Sequence, residues 1–175
     1  PPIWYTRRVR QVSRNTLVER KRMAEWSENS RKAGNVTFTA CSLDGRPLYL
    51  LLEDVKIPFE PSVYGGDGTE TRKSICFSGA TEEVVKRLTA MEESISATNS
   101  CVKDDLIRCK INMERVRTYD SNRKAIDVPK QWRGFSANVQ VHLRGKWATR
   151  QGSGLSLEVT DVQLMEAREP PCPFK

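Results

Sequence analysis

The sequence lacks most of the features that mark metal-binding, membrane and secreted proteins. Its 175 residues include a single histidine, His142, and five cysteines that form no C-x-x-C pair, which excludes a zinc finger or ribbon. The longest apolar run, Leu48 to Leu52, is much shorter than the roughly 18 to 20 residues that a bilayer-spanning helix requires. No basic and then apolar secretory signal follows Pro1. We therefore expect a soluble, intracellular protein with no bound metal or other cofactor and no membrane partner.

Groups that could carry catalysis are equally scarce. The segment 65–68, Gly-Gly-Asp-Gly, lacks the Gly-Lys-Ser/Thr of a phosphate-binding P-loop. The adjacent carboxylates Glu53 and Asp54 do not form a Mg²⁺ site by themselves, because neighbours on a strand point to opposite faces. His142 lies in the middle of an alternating strand pattern, which is a poor setting for a Ser-His pair. We predict that the protein is not an enzyme.

Basic residues are concentrated near the N-terminus. Lys and Arg number 29 against 22 Asp and Glu, a net charge of +7, and residues 1–33 hold nine of those bases against three acids. This segment, which we predict to be a basic N-terminal arm, includes Arg7, Arg8 and Arg10. Clustered Arg side chains bind phosphates bidentately and displace condensed counterions. The arm therefore favours an acidic polymer as partner, and a solubilising tail is the alternative interpretation.

Alternating apolar and polar residues, typical of strands, dominate residues 34–166, which we predict to be one domain. Six strands are predicted, over residues 36–41, 48–52, 72–77, 107–113, 135–144 and 155–164. The turn residues at 44–47 predict that the first two strands form a hairpin. Because the apolar residues change phase at Thr160, we expect a β-bulge in the last strand.

One helix is predicted, and it begins at Thr81, which can cap the free amide groups. An apolar stripe at helical spacing follows, formed by Val84, Leu88, Met91 and Ile95. The Pro-rich residues 167–175 are predicted to be an irregular tail. The order of three strands, one helix and further strands predicts a mainly β protein. We expect an OB-fold-like antiparallel barrel with its helix between strands three and four.

The polar face of two predicted strands carries four cations that we expect to contact phosphates, Arg108, Lys110, Arg144 and Lys146. Aromatic rings near such a groove stack on unpaired bases. We predict this role for Trp147, Trp132 and Tyr64, while the arm adds non-specific affinity. The residues together predict a non-catalytic protein that binds single-stranded nucleic acid.

Four stretches occur in a particular order along the chain: Ile57-Pro58-Phe59, a strand and helix over 74–95, Gly145-Lys146-Trp147, and a strand at 154–164. This pattern resembles that of the single-stranded DNA-binding proteins of podophages and large DNA viruses. The resemblance implies an OB-fold that coats displaced strands during DNA replication or recombination. Further copies of the chain, or replication proteins, are the additional partners that we consider.

Two other functions are compatible with a basic arm joined to a β-rich body. A small viral capsid or genome-packaging protein would use the arm to neutralise the packaged genome. An RNA-binding subunit of a ribonucleoprotein would insert the arm between RNA helices. We favour single-stranded DNA over RNA as the partner, and we expect binding that weakens steeply with salt.

Overall fold

The computed structural model describes residues 24–63 and 71–165, which form eleven strands and one helix. The strands are β1 (Glu25–Ala33), β2 (Val36–Ser42), β3 (Leu48–Lys56), β4 (Ser62–Val63), β5 (Arg72–Ser78), β6 (Val102–Lys103), β7 (Leu106–Asn112), β8 (Arg117–Tyr119), β9 (Ala125–Ile126), β10 (Ser136–Ala148) and β11 (Ser153–Met165). The helix α1 (Glu82–Ser94) follows β5. The described residues are therefore mainly β with one helix, as the sequence predicts.

The helix begins and packs as its sequence predicts. The Thr81 hydroxyl accepts a hydrogen bond from the N–H of Val84 at 3.5 Å, which is the expected N-cap. Leu88 is fully buried beneath the helix. Near the other end, the buried carboxylate of Glu92 accepts a hydrogen bond from the N–H of Cys101. The helix is thus held at both ends, by its own cap and by the segment that leads into β6.

Five strands close into a ring. Their pairings run from β3 to β5, β7, β11 and β10, and β10 pairs again with β3. The pair β7–β11 is parallel, and the other pairs of the ring are antiparallel. The expectation of an entirely antiparallel arrangement is therefore corrected at β7–β11. The helix α1 lies between β5 and β7, the third and fourth predicted strands, as expected; because β2, the first predicted strand, lies outside the ring, these are the second and third strands of the ring.

The strands β2 and β3 are not paired with each other, contrary to the predicted hairpin. Both pair with β10, which is 13 residues long and offers two successive partners. Residues 136–143 of β10 pair with β3, and residues 145–148 pair with β2. On its other side β2 pairs with β1, so residues 25–33 of the predicted arm form a strand of the sheet.

The apolar core lies inside the ring. Side chains with no exposure include Val55, Ile57, Phe77, Ala137 and Val139. Every second residue of β7 is buried, as the alternation predicts, and the burial of one such Val, Leu or Ile side chain contributes about 1.5 to 3 kcal/mol. The side chains on the opposite side of the ring strands are mostly polar, among them Arg108, Lys110, His142 and Glu158. We call this surface the outer face.

The bulge predicted in the last strand is confirmed. Gln140 pairs with Asp161 and Val141 pairs with Val159, so Thr160 is an extra residue in β11. The Thr160 hydroxyl donates a hydrogen bond to the carbonyl oxygen of Gln140 at 3.3 Å, which helps to hold the irregular backbone. The bulge keeps the apolar residues on both sides of Thr160 facing the core.

Candidate nucleic-acid interface

A single row of paired residues crosses the outer face. The row crosses six strands in the order β4, β5, β7, β11, β10 and β3, and each residue is the Cα partner of the next. Its members are Ser62, Ser74, Lys110, Glu158, His142 and Tyr49. Paired residues direct their side chains to the same side of a sheet. The row therefore brings a lysine, a carboxylate and two rings together on one surface.

Arg108 and Lys110 both project from β7 onto the outer face, and both are exposed. Partial burial of its stem and the neighbouring Arg144 guanidinium lower the pKa of Lys110. Arg72, at the start of β5, acts on Lys110 in the same direction. Lys110 is therefore near enough to Arg144 and Arg72 to be repelled by both, and a bound phosphate would relieve that repulsion.

Arg144 lies on the same surface. Its Nη1 donates a hydrogen bond to Oε2 of Glu158 at 2.9 Å, and the Arg144 side chain remains 52% exposed. Three of the four predicted strand cations, Arg108, Lys110 and Arg144, thus share the outer face.

A second bulge interrupts β10 at Arg144. Leu143 pairs with Leu157 and Gly145 pairs with Ser156, so Arg144 is an extra residue. Gly145 occupies a crowded position, because an added Cβ would lie 2.1 Å from the carbonyl oxygen of Thr39. Beyond this point the alternation of β10 is shifted by one residue.

The shift places Lys146 on the core-facing side of β10. Its Cα partners are Leu155 and Thr39, both of which are buried. The Nζ of Lys146 lies 5.1 Å from the centroid of the Trp26 ring, within the range of a cation–π contact. Lys146 therefore does not continue the face of Arg144, contrary to the prediction, because regular alternation does not pass through a bulge.

The same shift brings Trp147 to the outer face. Trp147 pairs with Phe38 of β2 and with Gly154 of β11, and both rings are half-buried. An added Cβ at Gly154 would lie 3.2 Å from Cζ2 of Trp147, so the glycine leaves room for the indole. Two rings at the end of a cationic surface form a place where bases can stack.

Tyr49 and His142 form another ring pair on this face, one that we did not predict as a binding element. Their centroids are 5.0 Å apart, and Tyr49 is 41% exposed. Burial and the Arg144 charge lower the pKa of His142, and Glu158 opposes this shift. The net effect favours the neutral form of the imidazole. Alternation within the run Leu48 to Leu52 is the signal that could have located Tyr49, since only every second residue there is buried.

Trp132 is a core residue, contrary to its predicted stacking role. Its side chain is 1% exposed, and the indole Nε1 has no hydrogen-bond partner among the described residues. The Glu60 carboxylate accepts hydrogen bonds from the N–H groups of Trp132 and Arg133, at 3.0 and 2.9 Å. This contact holds the backbone of the loop before β10, and the burial of the Trp132 ring leaves it no surface on which a base could stack.

Four further predicted contacts, Tyr64, Arg7, Arg8 and Arg10, lie outside the described residues. Within residues 24–63 and 71–165, no helix has the length and apolar character needed to cross a bilayer. The same residues contain no group of three or more His, Cys, Asp or Glu side chains placed to hold a metal ion.

The chain matches no family model and no curated protein. Two solved structures are similar to it. The single-stranded DNA-binding protein from bacteriophage Enc34, with a C-terminal truncation, has a TM-score of 0.49 and 13% identity over 83% of this chain and 98% of that chain. The protein of that name in complex with ssDNA has a TM-score of 0.45 and 15% identity over 89% and 99% of the two chains.

Proposed function

We propose that this protein binds single-stranded DNA without catalysis and that its ring of strands is an OB-fold. Numbered along the chain, the ring strands follow the spatial order 1-2-3-5-4 and then return to the first. OB-folds bind oligonucleotides on the face of strands two and three and through the loops that join strands one and two and strands four and five. The corresponding parts of this chain are β5, β7 and the turn between β10 and β11.

The observation that carries the proposal is the position of the cations and rings relative to those strands. Arg108 and Lys110 lie on β7, Arg72 begins β5, and Trp147 stands next to the β10–β11 turn. All four belong to the outer face. A flexible strand laid across β7 and β10 can place phosphates on the cations and bases on the rings.

Distances within the sheet suit one extended strand of nucleic acid. Adjacent strands lie about 4.8 Å apart, and β11 alone separates β7 from β10, so Lys110 and His142 are roughly 10 Å apart across the sheet. Along β10, the Tyr49–His142 ring pair and the Cα partners Phe38 and Trp147 lie on either side of Arg144. Phosphate contacts and stacking tolerate any base sequence. Such binding suits the coating of unpaired DNA during replication or recombination, which we include in the proposal.

A salt titration with matched charge reversals tests the proposal. We would measure the affinity for fluorescein-labelled oligothymidylate by anisotropy between about 50 and 200 mM salt. The double variant Arg108→Glu/Lys110→Glu should bind at least about 100-fold more weakly at the low-salt end, because two phosphate contacts become repulsive. The slope of log affinity against log salt should become shallower by about 1.4, since each single-strand phosphate contact contributes roughly 0.7.

Lys146→Glu is the matched control for the single variant Lys110→Glu, since both change the net charge by two and the Lys146 side chain lies on the other side of β10. We expect this variant to retain most of its affinity. Equal losses in both variants would show that net charge, not the outer face, governs binding. Competition by single-stranded RNA and by duplex DNA tests the preference for single-stranded DNA, and stronger binding of RNA would contradict it.

A further inference from the structure

Glu158 is an acidic residue in the middle of the cationic outer face. Its Cα partners are Lys110 on β7 and His142 on β10, and its carboxylate accepts the hydrogen bond from Arg144. The Glu158 side chain is only 26% exposed, compared with 52% for Arg144. A carboxylate in this position reduces the positive potential of a surface that is otherwise suited to phosphate.

The influence of Glu158 extends beyond Arg144. Its charge acts on Lys110 and on His142, in both cases favouring the protonated form. Glu158 thus interacts with three basic groups, Lys110 and His142 in the row and Arg144 beside it. Carboxylate and phosphate oxygens accept the same geometry of hydrogen bonds from a guanidinium group. The Arg144–Glu158 contact therefore resembles the contact that a DNA phosphate would make.

We propose that Glu158 is an intramolecular competitor for the DNA phosphate. In the unbound protein the Glu158 carboxylate is hydrogen-bonded to Arg144. This contact must break when a phosphate binds the guanidinium group. The competition weakens binding and accelerates dissociation, so the bound strand can be exchanged. This inference rests on the proposed function, because it assigns a regulatory residue to the same site.

The test compares two neutral isosteric variants on one strand. Glu158→Gln removes the competitor, whereas Asp161→Asn removes an acid of the same strand and face that pairs with Arg117 at 2.8 Å. Asp161 also accepts a hydrogen bond from the hydroxyl of Tyr119 at 3.4 Å, in a row that contains neither Arg108 nor Lys110. Both variants raise the net charge by one, so they are matched in charge and differ in their position and in the cation that each releases.

We expect Glu158→Gln to bind oligothymidylate about three- to fivefold more tightly at 50 mM salt, the size of effect that an exposed ion pair allows. The slope of log affinity against log salt should change little, because Arg144 contacts a phosphate in the bound state of both proteins. Asp161→Asn should change affinity by less than about twofold. Equal tightening by both variants, or no tightening by Glu158→Gln, would overturn the inference.

Two further variants separate competition from a structural role. In the Arg144→Gln background, the Glu158→Gln change should lose most of its effect, because the competed group is absent. Glu158→Asp keeps the charge but shortens the side chain by one methylene, so its affinity should lie between those of the wild type and Glu158→Gln, and tighter binding than Glu158→Gln would contradict competition. The inference and the proposed function fail differently. If the wild type binds no oligothymidylate at 50 mM salt, the proposed function fails, whereas wild-type binding with unchanged Glu158→Gln affinity overturns the inference alone.

Discussion

The two ends of β10 each have a tryptophan nearby, and the two side chains are placed in opposite ways. Just before the strand, Trp132 is buried and its backbone is held by Glu60. Near the end of the strand, Trp147 lies half-buried on the outer face beside Phe38. Both residues have polar neighbours in the sequence, so residue type does not distinguish them. The difference comes from two backbone features. One is the loop before β10, whose N–H groups donate to the Glu60 carboxylate, and the other is the bulge at Arg144.

The first way to test this comparison is to remove the buried ring. Trp132→Ala should lower the free energy of unfolding by about 3 to 5 kcal/mol, because it leaves a large cavity in the core. Trp147→Ala should cost much less, since its ring is only half-buried. Urea unfolding followed by circular dichroism measures both, and equal destabilisation would contradict the distinction between the two ends.

The second test changes the bulge. At Gly145 an added methyl group would lie 2.1 Å from the carbonyl oxygen of Thr39 and 2.9 Å from Cζ of Phe38. We expect Gly145→Ala to reduce the free energy of unfolding by about 2 to 3 kcal/mol, because backbone must move to admit the side chain. Gly34→Ala is the control. Its φ is +58° and no atom lies within 4 Å of the added Cβ, so the cost should be about 1 kcal/mol.

The third test concerns the function of the outer ring. Trp147→Ala should weaken oligothymidylate binding by about 1 to 2 kcal/mol, which is roughly 5- to 30-fold, because one stacking surface is lost. Trp26→Ala is the control, since Trp26 lies under Lys146 on the other side of the sheet. Fluorescence anisotropy with labelled oligothymidylate compares the two, and an equal loss would argue against stacking on Trp147.

The smallest expected effect is a dependence of stability on pH at His142. Burial and Arg144 hold the pKa of this residue below its ordinary value of about 6.5 in the folded chain. Above about pH 6.5 both folded and unfolded chains carry a neutral imidazole, so the full stability is present. As the pH falls from there towards the folded pKa, the unfolded chain takes up the proton first and stability is lost.

The measurement for His142 is the urea midpoint at pH 7 and pH 5. The decrease between these pH values should be smaller in His142→Gln than in the wild type, because the variant has no imidazole to protonate. An identical decrease in the two proteins would show that other groups account for the pH dependence.

Local features of the fold were predictable from the residues themselves. Thr81 and the apolar stripe at Leu88 predict α1, because capping and helical spacing are properties of neighbouring residues. The bulge at Thr160 was also predictable, since apolar residues change phase there. In the site, alternation along β7 was enough to place Arg108 and Lys110 on one face.

Features that depend on distant partners could not be predicted in this way. The apolar pattern does not indicate the bulge at Arg144. Beyond it the charged Lys146 faces inward and the aromatic Trp147 faces outward, which is the reverse of what residue type predicts. The division of β10 between β2 and β3 depends on residues far apart in the chain. The burial of Trp132 likewise depends on Glu60, which no local pattern connects to it.

The parallel pairing of β11 has a consequence for how the chain folds. This strand, the last of the described elements, supplies the partner of β7, β8 and β10. During synthesis on the ribosome, β7, β8 and β10 therefore each keep one edge unpaired until residues 153–165 have been synthesised. Closure at such sequence separation is slow, and the waiting intermediate exposes apolar surface that can aggregate. We expect nascent chains to require chaperone protection during that interval.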